Sequence, residues 1–173
     1  DCMHVRPATE LDLPAILAIY NNAIETTTAV FDYRPHTLEM RREWFRGKQM
    51  ADLPVMVAID SEAVVGFAAY GPFRAWPAYK YTIEHSVYVA ASARNRGVGR
   101  MLVSEVIEEA RRRDVHVIIA GIVSDNEPSL RLHRALGFLD GGEVRQVGYK
   151  FGRWLDLTLL QLPLETLRHP TEA

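Results

Sequence analysis

Residues 87–100 constrain the fold of this chain more than any other segment. An apolar stretch typical of a strand leads into a turn rich in arginine and glycine, and an amphipathic helix pattern begins directly after it. The free backbone N–H groups and the positive dipole end of such a helix attract anions, and the arginine side chains add positive charge. The segment therefore predicts a strand, turn and helix that together bind a phosphate ester.

The residues of this turn narrow the choice of phosphate ligand. A nucleoside triphosphate loop ends in Gly-Lys-Ser/Thr, whereas Gly99 is followed by Arg100 and Met101; a dinucleotide fold needs a third glycine and a later acidic residue. The spacing of Arg94, Gly97 and Gly99 resembles the pyrophosphate loop of the GCN5-related N-acetyltransferases, which bind acetyl-coenzyme A (acetyl-CoA). Taken alone, a glycine-containing turn can also serve only to reverse the chain.

A second motif lies at residues 126–138. In the same family an asparagine opens a short helix, a polar aromatic residue follows seven positions later, and the helix ends in Gly-Phe. Asn126, His133, Gly137 and Phe138 match this pattern, with histidine where many relatives carry tyrosine. Asparagine is a good helix cap and glycine suits a left-handed stop, so local preferences also predict the helix. An ordinary surface helix would carry the same caps.

Composition indicates a single domain, residues 1–173, with a tail that frays after about residue 165. The 173 residues are 48% hydrophobic and 24% charged, which is enough for one sizeable core. The formal charge of −2 argues against general attraction to nucleic acid or a membrane surface, and no apolar stretch approaches membrane-spanning length. Cys2 is the only cysteine and the six histidines are scattered, so we predict no disulfide, no metal and a cytoplasmic location.

Hydrophobic periodicity predicts seven strands and four helices. The strands cover residues 3–6, 55–59, 64–70, 82–89, 115–123, 141–147 and 154–162, and the helices begin near residues 9, 37, 97 and 126. This order, βααβββαβαββ, is that of the GCN5-related acetyltransferase fold. We therefore expect an α/β (α+β) protein with a mixed central sheet of about seven strands and helices on both faces. The near-continuous apolar run at 115–123 predicts a strand that is buried on both faces.

Three further stretches narrow the resemblance. Residues 84–89, 132–138 and 148–156 look like phosphinothricin acetyltransferase and its methionine sulfoximine/sulfone acetyltransferase relatives. The last stretch is the most discriminating, since general members of the superfamily do not carry its Lys-Phe-Gly-x-Trp sequence. The resemblance implies direct transfer of acetyl from acetyl-CoA to the α-amino group of a small amino acid analogue, in a homodimer.

Acyl transfer to an amine needs a group that removes the ammonium proton. Glu84 is the candidate, because strand alternation places it near the expected thioester and a glutamate serves as base in the resembling family. A charge partner on a solvated sheet face is the alternative. His133 matches the tyrosine with which relatives protonate the departing thiolate; a cofactor contact is favoured over acid catalysis or no role. His85 should face away from Glu84, unless a bulge typical of this strand in the family turns it inward.

The resemblance also assigns cofactor contacts. The backbone of Val87, Tyr88 and Val89 should pair with the pantetheine arm as an added strand would, and a backbone N–H near Val87 should face the oxyanion. The turn at residues 94–100, which we call the phosphate turn, and the second motif supply the other expected cofactor contacts. These are Asn95, Arg96, Gly97, Val98, Gly99, Arg100, Asn126 and Ser129.

The loop at residues 71–80 is the expected acceptor site, because it is aromatic, cationic and constrained by two prolines. Arg74 would clamp an α-carboxylate through two parallel hydrogen bonds. The full set of predicted acceptor contacts and pocket walls is Arg74, Ala75, Trp76, Tyr79, Glu84, His85, Ser86, Phe31 and Tyr33. The alternative is a loop that covers a core edge or forms a dimer contact.

Two other functions stay open from the residues alone. An enzyme of the same fold that acetylates a protein N-terminus or a lysine would present an open acidic groove, whereas a closed pocket lined by aromatic residues and arginine favours a small carboxylate. A non-catalytic module that binds or senses acyl-CoA would not need Glu84.

Overall fold

The computed structural model of the chain describes residues 2–165 and 169–173. Its helices and strands follow the predicted order βααβββαβαββ. The strands are β1 (His4–Pro7), β2 (Val55–Asp60), β3 (Ala63–Pro72), β4 (Thr82–Val89), β5 (Val117–Val123), β6 (Leu139–Lys150) and β7 (Arg153–Pro163). The helices are α1 (Leu13–Thr26), α2 (Leu38–Met50), α3 (Val98–Arg112) and α4 (Glu127–Ala135).

Local capping explains where three of the helices begin. The Thr37 side chain accepts a hydrogen bond from the Met40 N–H at the start of α2, and the Asn126 side chain accepts one from the Ser129 N–H at the start of α4. At the start of α3, Gly97 adopts a left-handed conformation with φ of 81°, which a residue without Cβ adopts readily. The phosphate turn and the second motif therefore fold as the sequence predicts.

The seven strands form one mixed sheet in the order β1-β2-β3-β4-β5-β7-β6. Only β4 and β5 pair in parallel, and their pairing covers three positions, from Thr82↔Val117 to Glu84↔Ile119. Beyond Glu84, β4 continues along β3 and β5 continues along β7, so the two strands separate. We call the resulting gap the β4–β5 opening. It leaves the backbone of the second half of β4 without a ladder partner on the β5 side.

Helices cover both faces of the sheet, as expected. On one face α1 and α2 pack Leu13, Ile16 and Phe45 against β2 and β3. On the other face α3 packs against the middle of the sheet, and α4 lies beside it. A Cβ atom at Gly66 of β3 would lie 2.9 Å from Leu102 Cδ1, so α3 rests almost directly on the β3 backbone.

Strand β5 differs from the expectation that it is buried on both faces. Ile118, Ala120 and Ile122 are buried on the α3 and α4 face, but Gly121 on the other face is exposed. The reason is the β4–β5 opening, because β4 moves away at this point and Glu84 Oε2 reaches to within 3.3 Å of where a Gly121 Cβ would lie. On this second face Val117 and Ile119 are half-buried and Val123 is buried, so the apolar run is fully buried on one face and only partly buried on the other.

Three expectations concerned the C-terminal tail, membrane-spanning segments and metal sites. Residues 166–168 of the tail expected to fray lie outside the described residues, while Thr171 N–H donates to the hydroxyl of Tyr81 at 3.0 Å. Within the described ranges no helix is long and apolar enough to cross a membrane. The same ranges contain no group of three or more His, Cys, Asp or Glu side chains that could hold a metal ion.

Candidate active site

A cleft of about 850 Å³ runs along the second half of β4, past the start of α3 and on to the start of α4. Ten of the eleven residues predicted to contact the cofactor line this cleft: Val87, Tyr88, Val89, Asn95, Gly97, Val98, Gly99, Arg100, Asn126 and Ser129. Arg96 does not line it, because its guanidinium donates to Asp60 Oδ2 at 2.5 Å. A further wall of the cleft, at residues 26–29 where α1 ends, was not predicted from the sequence.

The start of α3 supplies the anion-binding end of the cleft. Asn95 and Gly97 both have positive φ, 62° and 81°, which turns the chain sharply into the helix. Met101 N–H makes the first hydrogen bond of α3, to Gly97, so the N–H groups of residues 98–100 have no acceptor within the helix. The exposed guanidinium groups of Arg94 and Arg100 stand at the same place. This end of the cleft suits a pyrophosphate.

A narrower cavity of about 90 Å³ continues from the cleft into the β4–β5 opening. Its walls include Ser86 and Val87 of β4 and residues 120–123 of β5. Asn126, which caps α4, and His133 within α4 complete them. The unpaired backbone of β4 faces this gap, so an extended amide chain can bond to it in the manner of a strand. The arrangement fits a pantetheine arm with its thioester at the bottom of the opening.

Beneath this opening His85 and His133 are buried, with 5% and 2% of their surfaces exposed. His133 Nδ1 lies 2.8 Å from the carbonyl oxygen of Ser129, so Nδ1 carries the proton and donates it. The neutral ring then has a bare Nε2, which accepts a hydrogen bond from His85 Nε2 at 3.1 Å. His85 Nδ1 is left unprotonated and has no hydrogen-bond partner among the described residues.

Both imidazoles are held neutral. Burial, together with the neighbouring His133, lowers the pKa of His85 to about 3. Burial also lowers the pKa of His133, and its hydrogen bond to Ser129 only partly opposes that shift. His133 therefore has no free N–H to offer a departing thiolate in this arrangement.

Glu84 lies on the opposite face of β4 from His85. The β3 and β4 pairing keeps one register from Gly66↔Val89 to Pro72↔Ile83, so the bulge implied by the resemblance is absent from this pairing. Glu84, Ser86 and Tyr88 face α1 and α2. Burial raises the pKa of Glu84, while the charge of Arg74 partly lowers it. The carboxylate is thus a stronger base than an exposed one.

A second cavity, of about 410 Å³, lies between α1, α2, β3 and β4, and we call it the α2 cavity. Four aromatic rings wall it: Tyr20, Trp44, Phe67 and Tyr88. Glu84 stands in its lining, and Ser86 and Tyr88 line both this cavity and the β4–β5 opening. An amine in the α2 cavity and a thioester in the opening would therefore meet beside Glu84.

Comparison with known proteins decides the family. The sequence profile of the acetyltransferase (GNAT) family matches residues 16–138. The chain belongs to this family, and it is an acetyltransferase.

Three similar proteins illustrate what this GNAT acetyltransferase resembles. An L-methionine sulfoximine/L-methionine sulfone acetyltransferase of Salmonella typhimurium is 44% identical, across 94% of this chain and 95% of that protein. A solved Salmonella typhimurium acetyltransferase with its cofactor acetyl-CoA has a TM-score of 0.95 and 42% identity, covering 99% of both chains. A ribosomal-protein-alanine N-acetyltransferase from Brucella melitensis has a TM-score of 0.91 and 51% identity, covering 92% of this chain and 99% of that one.

Of the loop predicted to hold the acceptor, residues 71–80, only Gly71 lines one of the three cavities described above. Arg74 is exposed, stacks on the Phe73 ring at 4.2 Å and donates to the Phe73 carbonyl at 2.8 Å. Ala75 and Trp76 are exposed too, and 77% of the Trp76 surface is accessible. Electrostatically Arg74 still reaches Glu84, whose pKa it lowers. The structure thus leaves Ala75 and Trp76 in solvent, with Arg74 close enough to Glu84 for its charge to act on that carboxyl.

The two residues predicted to form the opposite wall contact β6 instead. Phe31 packs against Gly148, where an added Cβ would lie 2.6 Å from the ring. The Tyr33 hydroxyl donates to the carbonyl of Tyr149 at 2.5 Å. Both contacts fix the α1–α2 connection onto the edge of the sheet.

The reasoning from sequence missed four charged or imidazole side chains that line the α2 cavity: His36, Arg41, Glu43 and Lys48. Arg41 and Lys48 occupy the helical spacing of Leu38 and Phe45, the apolar face of α2. A cation on an apolar helix face is costly unless something pairs with it. That break in the apolar pattern was the available signal.

Proposed function

We propose that this acetyltransferase transfers the acetyl group of acetyl-CoA to the α-amino group of a small amino acid analogue of the methionine sulfoximine, methionine sulfone or phosphinothricin class. One observation carries the proposal: Glu84 lines a small cavity walled by aromatic rings and a buried arginine, and its carboxylate reaches Gly121 at the β4–β5 opening. A cavity of about 410 Å³ has the size of a small-molecule site and suits a small zwitterion. The Salmonella relative is named for acceptors of this kind.

In the proposed reaction Glu84 takes a proton from the acceptor ammonium, directly or through one water. The amine lone pair then attacks the thioester carbonyl carbon. A C–N bond forms, and the attacking nitrogen loses its second proton to solvent. The C–S bond then breaks, and its electron pair leaves with the coenzyme thiolate, which takes a proton from solvent. A backbone N–H near Val87, on the unpaired side of β4, faces the developing oxyanion. Positioning supplies much of the rate, because both reactants are held on one strand.

His133 acts as a neutral contact to the sulfur side of the cofactor. Its Nδ1–H donates a hydrogen bond to the Ser129 carbonyl, and its Nε2 accepts one from His85. A coenzyme thiolate is a good leaving group and needs little help from an acid. Its departure can therefore be completed by solvent.

The exposed loop residues Arg74, Ala75 and Trp76 are proposed to close over the acceptor once it binds. Arg74 would hold the α-carboxylate of the acceptor. This carboxylate stays beside the amine, which lies at Glu84, and the charge of Arg74 acts on Glu84. The flanking prolines limit how far the loop can move.

We further propose a homodimer that works in the cytoplasm. Support for the dimer comes from the apolar surface of the β6–β7 hairpin, whose large exposed residues are Leu139, Val144, Val147, Tyr149, Phe151 and Trp154. Arg153 and Phe151 of the same hairpin line the cofactor cleft, so a partner there would adjoin the active site. A single exposed cysteine is compatible with a reducing compartment.

Acetylation of a protein N-terminus is the second candidate, favoured by the name of the Brucella relative. It requires the acceptor to enter as an extended chain, with its first residue beside Glu84. The α2 cavity, with a volume of about 410 Å³, would take only the first residues of such a chain.

The deciding experiment follows thiol release from acetyl-CoA with methionine sulfone, methionine sulfoximine, phosphinothricin and an N-terminal alanine peptide, on wild type and Glu84→Gln. We expect turnover with the amino acid analogues and a roughly 10²- to 10⁴-fold loss of kcat in Glu84→Gln, the usual contribution of a general base. Acetyl-CoA affinity, measured by calorimetry, should not change. Turnover with the peptide alone would establish the second candidate. Tight cofactor binding without any turnover would indicate an acyl-CoA sensor.

A further inference from the structure

Arg41 is buried in the lining of the α2 cavity, with 4% of its surface exposed. Its guanidinium carbon lies 4.0 Å from the Tyr20 ring centre and 4.5 Å from the Trp44 ring centre. Burial lowers its pKa, yet an arginine stays charged at any physiological pH. No carboxylate of the described residues forms an ion pair with it, and its Nε–H has no hydrogen-bond partner there.

The orientation of this guanidinium is fixed from behind. Arg41 Nη2 donates to His36 Nδ1 at 3.2 Å, so the neutral His36 ring carries its proton on Nε2. His36 Nε2 then donates to Asp32 Oδ2 at 2.8 Å. The chain from Asp32 through His36 holds Arg41 in place without neutralising it. A buried cation with an unused donor is costly, and a ligand that accepts from it would offset that cost.

The charged side chains of the α2 cavity suit a ligand that has a cationic group at one end and oxygen atoms that accept hydrogen bonds at the other. Its charged side chains are Arg41, Lys48, Glu43 and Glu84, two of each sign. Lys48 is already used, since its ammonium donates to the Tyr70 carbonyl at 2.8 Å, and Glu43 is exposed. Glu84 and Arg41 are left as the pair that can hold the two ends.

The spacing along β4 decides which oxygens reach Arg41. Arg41 stacks on the Tyr20 ring, and the centre of that ring lies 5.4 Å from the centre of the Tyr88 ring, so Arg41 stands at the Tyr88 end of the strand. Four residues of strand separate Glu84 from Tyr88, roughly 13 Å between their Cα atoms. An α-carboxylate is bonded to the carbon that bears the amine, so it stays beside Glu84. Sulfone, sulfoximine and phosphinate oxygens lie four bonds from that carbon and extend toward Tyr88.

We propose that Arg41 binds the side-chain oxygens of the acceptor, on the sulfone, sulfoximine or phosphinate group, and thereby selects oxidised sulfur or phosphinate analogues over methionine. This inference rests on the proposed function. It makes Arg41 a residue that determines specificity and leaves proton transfer to Glu84.

The test compares kcat/KM for methionine sulfone and for methionine, which share one skeleton and differ by two oxygens. Arg41→Met should lower kcat/KM for the sulfone roughly 10- to 100-fold, the range for one hydrogen bond to a charged group, mainly through KM. The value for methionine should change far less. Arg41→Lys should recover only part of the loss, because it keeps the charge but not the forked donors. Arg42→Met removes an exposed arginine from the same helix and should leave the ratio unchanged.

Equal losses for sulfone and methionine in Arg41→Met would overturn the inference and leave Arg41 a structural residue. No loss of kcat/KM for either compound would overturn it as well. Acetyl-CoA affinity and the thermal midpoint show whether each variant is folded. If Arg41→Met does not fold, the wild-type Nε–H NMR signal of Arg41 takes its place: methionine sulfone should shift it and methionine should not. A wild type that acetylates neither compound contradicts the proposed function itself.

Discussion

His85 and His133 share one proton between their Nε2 atoms, 3.1 Å apart beneath the β4–β5 opening. The Ser129 carbonyl, 2.8 Å from His133 Nδ1, decides that His85 is the donor. The two rings therefore hold opposite tautomers. A histidine locked in this way can orient a cofactor, but it has no proton to release near neutral pH.

Nitrogen-15 NMR of histidine-labelled protein should show this directly. We expect His85 with its proton on Nε2 and His133 with its proton on Nδ1. His85 should not titrate between pH 8 and pH 5, and His133 should titrate only below the ordinary histidine range, because burial lowers both pKa values. In His85→Phe the donor is lost, and His133 should begin to titrate closer to its usual range. A doubly protonated His133 in wild type at pH 6 would contradict the assignment and restore an acid role.

The pH dependence of kcat should report Glu84. Burial raises the pKa of this carboxyl in the folded enzyme, and the base acts only when ionised. The rate should therefore fall as pH drops, with a midpoint above the ordinary glutamate pKa of about 4.3. Stopped-time assays from pH 4.5 to 8 on wild type and Glu84→Gln provide the check. Persistence of the same acid limb in Glu84→Gln would assign it to another group.

Two glycine substitutions should change stability in opposite directions. A Cβ at Gly66 would meet Leu102 Cδ1 at 2.9 Å and the Tyr88 carbonyl oxygen at 3.0 Å, so Gly66→Ala should destabilise by about 1–3 kcal/mol, as overpacking does. It should also weaken acetyl-CoA binding, because α3 must shift. Gly47 lies within α2 with nothing within 4 Å, and Gly47→Ala should stabilise by about 0.5–1 kcal/mol. Urea unfolding measures both, and two changes of the same sign would refute the packing argument.

Lys150 should matter for both stability and cofactor binding. Its buried ammonium donates to the carbonyls of Ile24, Thr27 and Val30 at 2.7, 2.8 and 2.9 Å, which fixes the end of α1. Lys150→Met should cost about 2–4 kcal/mol, since it leaves carbonyls without their charged donor. KM for acetyl-CoA should rise more than kcat falls, because residues 26–29 line the cofactor cleft.

A control for this variant is Lys80→Met, which removes an exposed lysine and should change stability by less than about 0.5 kcal/mol. Thermal unfolding and the kinetic constants are measured on both variants. Unchanged KM in a destabilised Lys150→Met would mean that the ammonium supports the fold without shaping the cleft.

Local signals predicted the fold and the residues that come together along the large cleft. The Arg94, Gly97, Gly99 spacing and the Asn126 cap act within a few residues, so they have the same consequence in any surroundings that tolerate them. Glu84 and His85 fall on opposite faces because a strand alternates, which is also a local rule. The Lys-Phe-Gly-x-Trp stretch was recognised by resemblance, but its physical use, the Lys150 clamp on α1, was not anticipated.

The acceptor half depended on contacts between distant segments. Arg41 contacts Tyr20 and His36, and Tyr20 contacts Tyr88, only because α1, α2 and β4 pack together. The burial expected on both faces of β5 was wrong for a similar reason, since it depends on where β4 separates from β5. By itself the sequence determined the element order, the anion-binding turn and the face of each strand residue, because these follow from periodicity and local backbone preference. Only the tertiary structure decided which buried charges face one another and which proton His133 carries, because burial and hydrogen-bond partners come from the whole fold.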